Sequence, residues 1–89
     1  MNKVAFKNLL IYLKQLVYEK EYSILEGTLM EYIAWLCYSV VNFKRDYKEY
    51  INQLKVCELY AKEHKYDLLI NYLEDNIIYW DLSRDEEDY

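Results

Sequence analysis

Residues 23–31 read SILEGTLME, and they hold Gly27, the only glycine in an 89-residue chain that has no proline. Tight hairpins between strands depend on glycine, proline and Asn-Gly pairs, so this chain lacks the punctuation of a sheet. The class that follows is all-α. The same nine residues contain two capping boxes, Ser23 with Glu26 and Thr28 with Glu31. In each, the hydroxyl accepts from an orphan amide while the glutamate reaches back. Gly27 between them can take the left-handed conformation that closes a helix. A turn is therefore expected here, with a new helix starting at Thr28. Ser23 is the rival start, and Gly27 would then sit inside the first turns at a cost of about 1 kcal/mol.

Upstream, Phe6, Leu9, Leu10, Leu13, Leu16 and Val17 recur at three- and four-residue steps between Lys7, Lys14, Gln15 and Lys20, which predicts an amphipathic first helix over residues 3–22. Downstream, residues 28–42 carry apolar or aromatic side chains on nearly every side: Leu29, Met30, Tyr32, Ile33, Trp35, Leu36, Cys37, Val40 and Val41. A helix apolar all round is either central in a bundle or half of an oligomer interface, so a homodimer through residues 29–41 is one reading.

After NFKRD, Asp46 with Glu49 predicts the cap of a third helix that places Tyr50, Ile51, Leu54, Cys57 and Ala61 on one face, with Glu58 and Lys62 as an i to i+4 pair. Asp67 then caps a fourth helix bearing Leu69, Tyr72, Leu73, Ile77 and Trp80. The expected architecture is a compact bundle of about four helices, arranged as two antiparallel helical hairpins. A single domain over residues 1–82 carries an acidic, flexible tail over 83–89. The stretches YEKEYSILEGTLMEYI from Tyr18 and YAKEHKYDLLINYLEDNI from Tyr60 share the order Tyr, Lys-Glu, Tyr, leucines. Two stacked hairpins of about 40 residues produce such an echo. Amphipathic helices of biased composition produce it too.

The net charge of −5 is unevenly spread. Residues 1–73 hold 10 Lys and Arg against 9 Asp and Glu, whereas residues 74–89 hold 1 against 7, and the chain closes in SRDEEDY. The N-terminal segment turns amphipathic without the apolar run and cleavage site of a signal peptide. The longest nearly uncharged run, residues 32–43, is shorter than the roughly 20 residues that span a bilayer. The expected location is the cytoplasm, that of the host cell if the chain is viral, with no membrane partner. Cys37 and Cys57 sit among apolar helical neighbours and suit a reducing compartment.

Chemistry is hard to build from this composition. His64 is the only histidine, and a nucleophilic couple would have to pair it with Cys57 or Cys37. No glycine-rich loop is present to form an oxyanion pocket, and a histidine closing a helix is explained by the dipole alone. The three residues lack the Cys-x-x-Cys spacing of structural zinc. Glu74 and Asp75 are adjacent carboxylates, not a pair with opposed environments. No catalytic residue, metal or cofactor is expected, and the reading is of a protein that is not an enzyme.

What remains is binding. Twelve tyrosines supply large contact areas with two side-chain torsions each. The expected partner-binding residues are Glu74, Asp75, Tyr79, Asp81, Asp85, Glu86, Glu87, Asp88 and Tyr89, which would steer the chain toward a protein with a basic, nucleic-acid-binding surface. Small acidic phage proteins that block host defence nucleases, anti-CRISPR and anti-restriction proteins among them, share this general look, as do immunity proteins of nuclease toxins. That likeness is compositional and covers no motif. Lys44, Arg45, Tyr47 and Lys48 form the one basic patch, the alternative site for nucleic acid, although a chain of net −5 is repelled from nucleic acid at long range.

Overall fold

The computed structural model describes residues 1–83. They form four helices and no strand: α1 (Lys3–Tyr18), α2 (Tyr22–Phe43), α3 (Lys48–Lys62) and α4 (Tyr66–Ser83). α1 packs mainly on α4 and α2 mainly on α3. The expected all-helical bundle of two hairpins is what the chain forms. Its expected acidic tail, with Asp85, Glu86, Glu87, Asp88 and Tyr89, lies outside the described residues.

α1 starts on a cap that the periodicity did not mark. The Asn2 side chain accepts from the Ala5 amide at 2.8 Å. The six apolar residues expected on its inner face are all buried. The helix then ends at Tyr18 rather than Tyr22, because Lys20 adopts φ 59°. Its amide donates to Val17 O at 3.1 Å, and the Glu21 amide donates to Leu16 O at 2.9 Å. These are the two bonds of a Schellman closure, made here by a lysine in the place that glycine usually fills.

α2 therefore begins at Tyr22, six residues before the favoured Thr28 and one before the rival Ser23. The two capping boxes of SILEGTLME fall inside the helix: Thr28 and Glu31 lie beyond its first turn, and no side chain caps the start of α2. Gly27 makes no turn; it lies in α2 with open space around the position of a Cβ. The cap expected at Asp46 is also displaced: the residue before α3 is Tyr47, and no side chain caps that end. Asp67 lies in the first turn of α4, one residue past its start, where its carboxylate suits the positive end of the helix dipole.

The two hairpins repeat each other with a shift of 44 positions. Buried Phe6, Leu10, Leu13, Leu25, Leu29 and Leu36 correspond in turn to buried Tyr50, Leu54, Cys57, Leu69, Leu73 and Trp80. The left-handed Lys20 (φ 59°) corresponds to His64 (φ 58°), and α3 closes with the same pair of bonds, His64 N to Ala61 O and Lys65 N to Tyr60 O. Two equivalent pairs touch each other: Phe6 stacks on Tyr50 at 4.4 Å, and Tyr22 on Tyr66 at 4.0 Å. Contact between equivalent residues is the mark of a two-fold arrangement, here realised within one chain. The echo read from Tyr18 and Tyr60 aligns Tyr22 with Tyr66, as the structure does. It misplaces the ends of α1 and α3 by two residues.

A buried polar link joins the two helices of the second hairpin. Trp80 Nε1–H donates to Gln53 Oε1 at 2.9 Å, beside the Phe6, Tyr50 and Trp80 ring cluster. Among the described residues no buried side-chain polar atom is left without a partner.

Candidate protein-binding surface

The residues expected to carry binding are divided by the fold. Glu74 is bridged by Lys14 at 3.3 Å and Asp81 by Lys7 at 3.0 Å, so two of the carboxylates partly neutralise lysines of α1. Asp75 and Tyr79 are exposed on α4. In the alternative patch, Lys44, Arg45 and Lys48 are exposed around the α2–α3 connection. Tyr47 turns away from them: its hydroxyl accepts from the Met1 ammonium at 2.8 Å, and its ring lies against Trp35 and Tyr50. Of the aromatics interleaved with these cations, Tyr47 and Tyr50 are taken up in packing and Phe43 is 62% exposed.

The cysteine and histidine candidates are not assembled into a couple. Cys57 is completely buried, and burial pushes its thiol up to about 12, which leaves no thiolate at neutral pH. His64 is exposed in the closure after α3 and shares a 3.1 Å hydrogen bond with the Tyr66 hydroxyl. Among the described residues no cluster of three metal-ligating side chains occurs.

The surface that stands out is the solvent side of α2. Leu25, Leu29, Leu36 and Ser39 face the core, which leaves Ile24, Met30, Trp35, Tyr38, Val41 and Phe43 between 47% and 76% exposed. Only Glu26 and Glu31 are charged in its 22 residues. By length and composition α2 is long and apolar enough to cross a membrane, a property the run over residues 32–43 did not show. Three of its leucines are nevertheless fully buried in the bundle. Beside α2, Met1, Glu31, Tyr32 and Trp35 line an open groove of about 520 Å³.

Within this face, Ser23, Gly27, Met30, Ala34, Cys37 and Val41 follow a 4-3-4-3-4 spacing, the heptad seam of a helix that packs on another helix. All are exposed except Cys37, which is half-buried. The repeat supplies an internal control. The positions 44 residues later are Asp67, Asn71, Glu74, Ile78, Asp81 and Asp85. Asp85 lies outside the described residues; of the others, three places are acidic in α4 (Asp67, Glu74, Asp81) and uncharged in α2 (Ser23, Met30, Cys37). Periodicity missed this because a helix with inner and outer apolar faces shows no amphipathic contrast.

Comparison with protein families, with curated proteins and with solved structures found no match.

Proposed function

We propose that this protein is a non-enzymatic binding module whose docking surface is the solvent face of α2. The observation that carries the reading is the contrast between the uncharged seam of α2 and the carboxylates at the equivalent positions of α4. Exposed apolar surface of this extent on a small chain costs solubility and has its use in a protein contact. The separation of buried Cys57 from exposed His64 supports a role without covalent chemistry.

A second surface gives the reading its direction. Asp67 and Asp75 on α4, and the carboxylates that follow Ser83 in the sequence, make the C-terminal part of the chain acidic, which favours a partner with a basic surface and speeds its association at low salt. In that form the protein is a stoichiometric inhibitor of the phage or mobile-element type, occupying a basic surface that its target uses for nucleic acid. Its place of action is then the cytoplasm where that target works.

The test is affinity capture from the source cell's lysate, comparing the full chain with one ending at Ser83 at low and moderate salt. Ending there keeps Asp81 and its bridge to Lys7. Recovery of one basic protein, lost on truncation and weakened by salt, supports the inhibitor. Equal capture by both chains removes the tail from the account. Recovery of nothing by either removes the basic partner.

A further inference from the structure

We infer that the α2 face is covered by the α2 face of a second copy, the two helices running antiparallel about a two-fold axis level with Tyr32. This rests on the reading of α2 as a docking surface and names its occupant.

At roughly 200 Å² for a fully exposed large side chain, the exposures of Ile24 (47%), Met30 (60%), Tyr38 (56%) and Val41 (76%) leave on the order of 500 Å² of apolar surface on and beside the seam. A stable protein interface buries about 800 Å² per partner. The seam side of a single helix therefore supplies more than half of what one dimer needs, and the small exposed side chains of Ser23, Gly27 and Ala34 let a partner helix approach closely.

The seam then selects the partner. In an antiparallel helix pair, each layer brings a residue of one 7-residue series against a residue of the other. Ser23, Met30 and Cys37 form one series here, and Gly27, Ala34 and Val41 the other. With the axis at position 32, Met30 meets Ala34, Cys37 meets Gly27, and Val41 meets Ser23. Every layer sets a larger side chain against a smaller one, the arrangement that fills space without strain. A parallel pair would stack Met30 on Met30 and Gly27 on Gly27, alternating crowding with voids. The face is complementary to itself in one orientation, and no charge lies on the seam. Asp67, Glu74, Asp75 and Asp81 lie on α4 and the charges of α2 itself are Glu26 and Glu31, so two copies repel by like charge, and added salt relieves that repulsion.

Sedimentation equilibrium of the full chain, from about 1 to 100 µM, tests this together with a Gly27→Lys variant. Space around Gly27 is open, so the lysine fits the isolated chain and raises its helix propensity. In the dimer the same lysine enters the Cys37 layer as an unpaired charge. The expected result is twice the 11.0 kDa chain mass for the native protein, with tighter association at higher salt. The variant is expected to dissociate at least about a hundredfold more readily while melting no lower as a monomer. A native chain that stays at 11.0 kDa overturns the inference. So does a dimer that Gly27→Lys leaves intact, or a monomer that floats with neutral lipid vesicles. A monomer that still captures a lysate protein through α2 overturns the second copy but leaves the docking surface standing.

Discussion

Tyr22 and Tyr66, 44 positions apart in the chain, stack face to face with ring centroids 4.0 Å apart and planes 9° from parallel. Each is the first residue of the second helix of its hairpin, and each follows a closure made by a residue with positive φ. The contact joins equivalent points of two equivalent halves, and it makes the difference between those halves informative. What they share is fold. Where they part, Asp67, Glu74 and Asp81 of α4 stand against uncharged Ser23, Met30 and Cys37 of α2; Glu74 and Asp81 bridge Lys14 and Lys7 of α1, whose counterparts in α3 are Glu58 and Ile51.

The closures give a first prediction. Lys20 and His64 hold φ 59° and 58°, a conformation costing an ordinary residue about 1 kcal/mol. Lys20→Gly and His64→Gly should each raise stability by about 1 kcal/mol in urea unfolding. A loss at either position would show that the side chain contributes more than its backbone costs.

Gly27 should respond in the same direction for the opposite reason. It lies inside α2 with nothing within 4 Å of a Cβ, so Gly27→Ala should add about 1 kcal/mol. A drop in thermal midpoint would contradict its placement.

These two cases also mark where sequence reasoning stopped. The inner face of α1 was legible residue by residue from Phe6 to Val17, and that of α3 from Tyr50 to Ala61 apart from buried Gln53, because burial on one side writes a 3.6-residue period in apolar residues that a polar one does not join. The turns were not, because glycine was read as the closing residue while Lys20 and His64 closed the helices through backbone bonds that any side chain permits. The site was half legible. The all-round apolar character of residues 29–41 was visible, but which of those residues face outward, and that α4 offers charges at the same places, required the 44-residue equivalence.

The buried link between α3 and α4 makes a third prediction. Gln53→Leu strands the Trp80 indole N–H without its 2.9 Å acceptor and should cost about 1–3 kcal/mol. Trp80→Phe in the same chain removes the stranded donor, so the double variant should be less damaged than the sum of the single ones. Strict additivity in denaturant unfolding would mean the bond is not coupled.

Alkaline pH provides a fourth. The Cys57 thiol titrates near its ordinary 9.0 in the unfolded chain and at about 12 when folded. Between these values the unfolded chain has released a proton that the folded chain keeps, so this stabilisation is complete below pH 9 and fades as pH rises toward 12. The slope from one such group is at most about 1.4 kcal/mol per pH unit. Cys57→Ala should be less stable at neutral pH and flatter above pH 9. An unchanged alkaline slope would remove Cys57 as its source.

The most direct test of the α2 face uses the two cysteines already in the chain. Cys37 lies half-buried on the outer seam and Cys57 in the core. Alkylation of the native protein at fixed pH, followed by mass spectrometry, should modify Cys37 quickly in dilute solution and progressively more slowly as concentration rises and the face is covered. Cys57 should stay unmodified throughout. A Cys37 rate that is the same at every concentration would contradict the covering of α2 by a second copy.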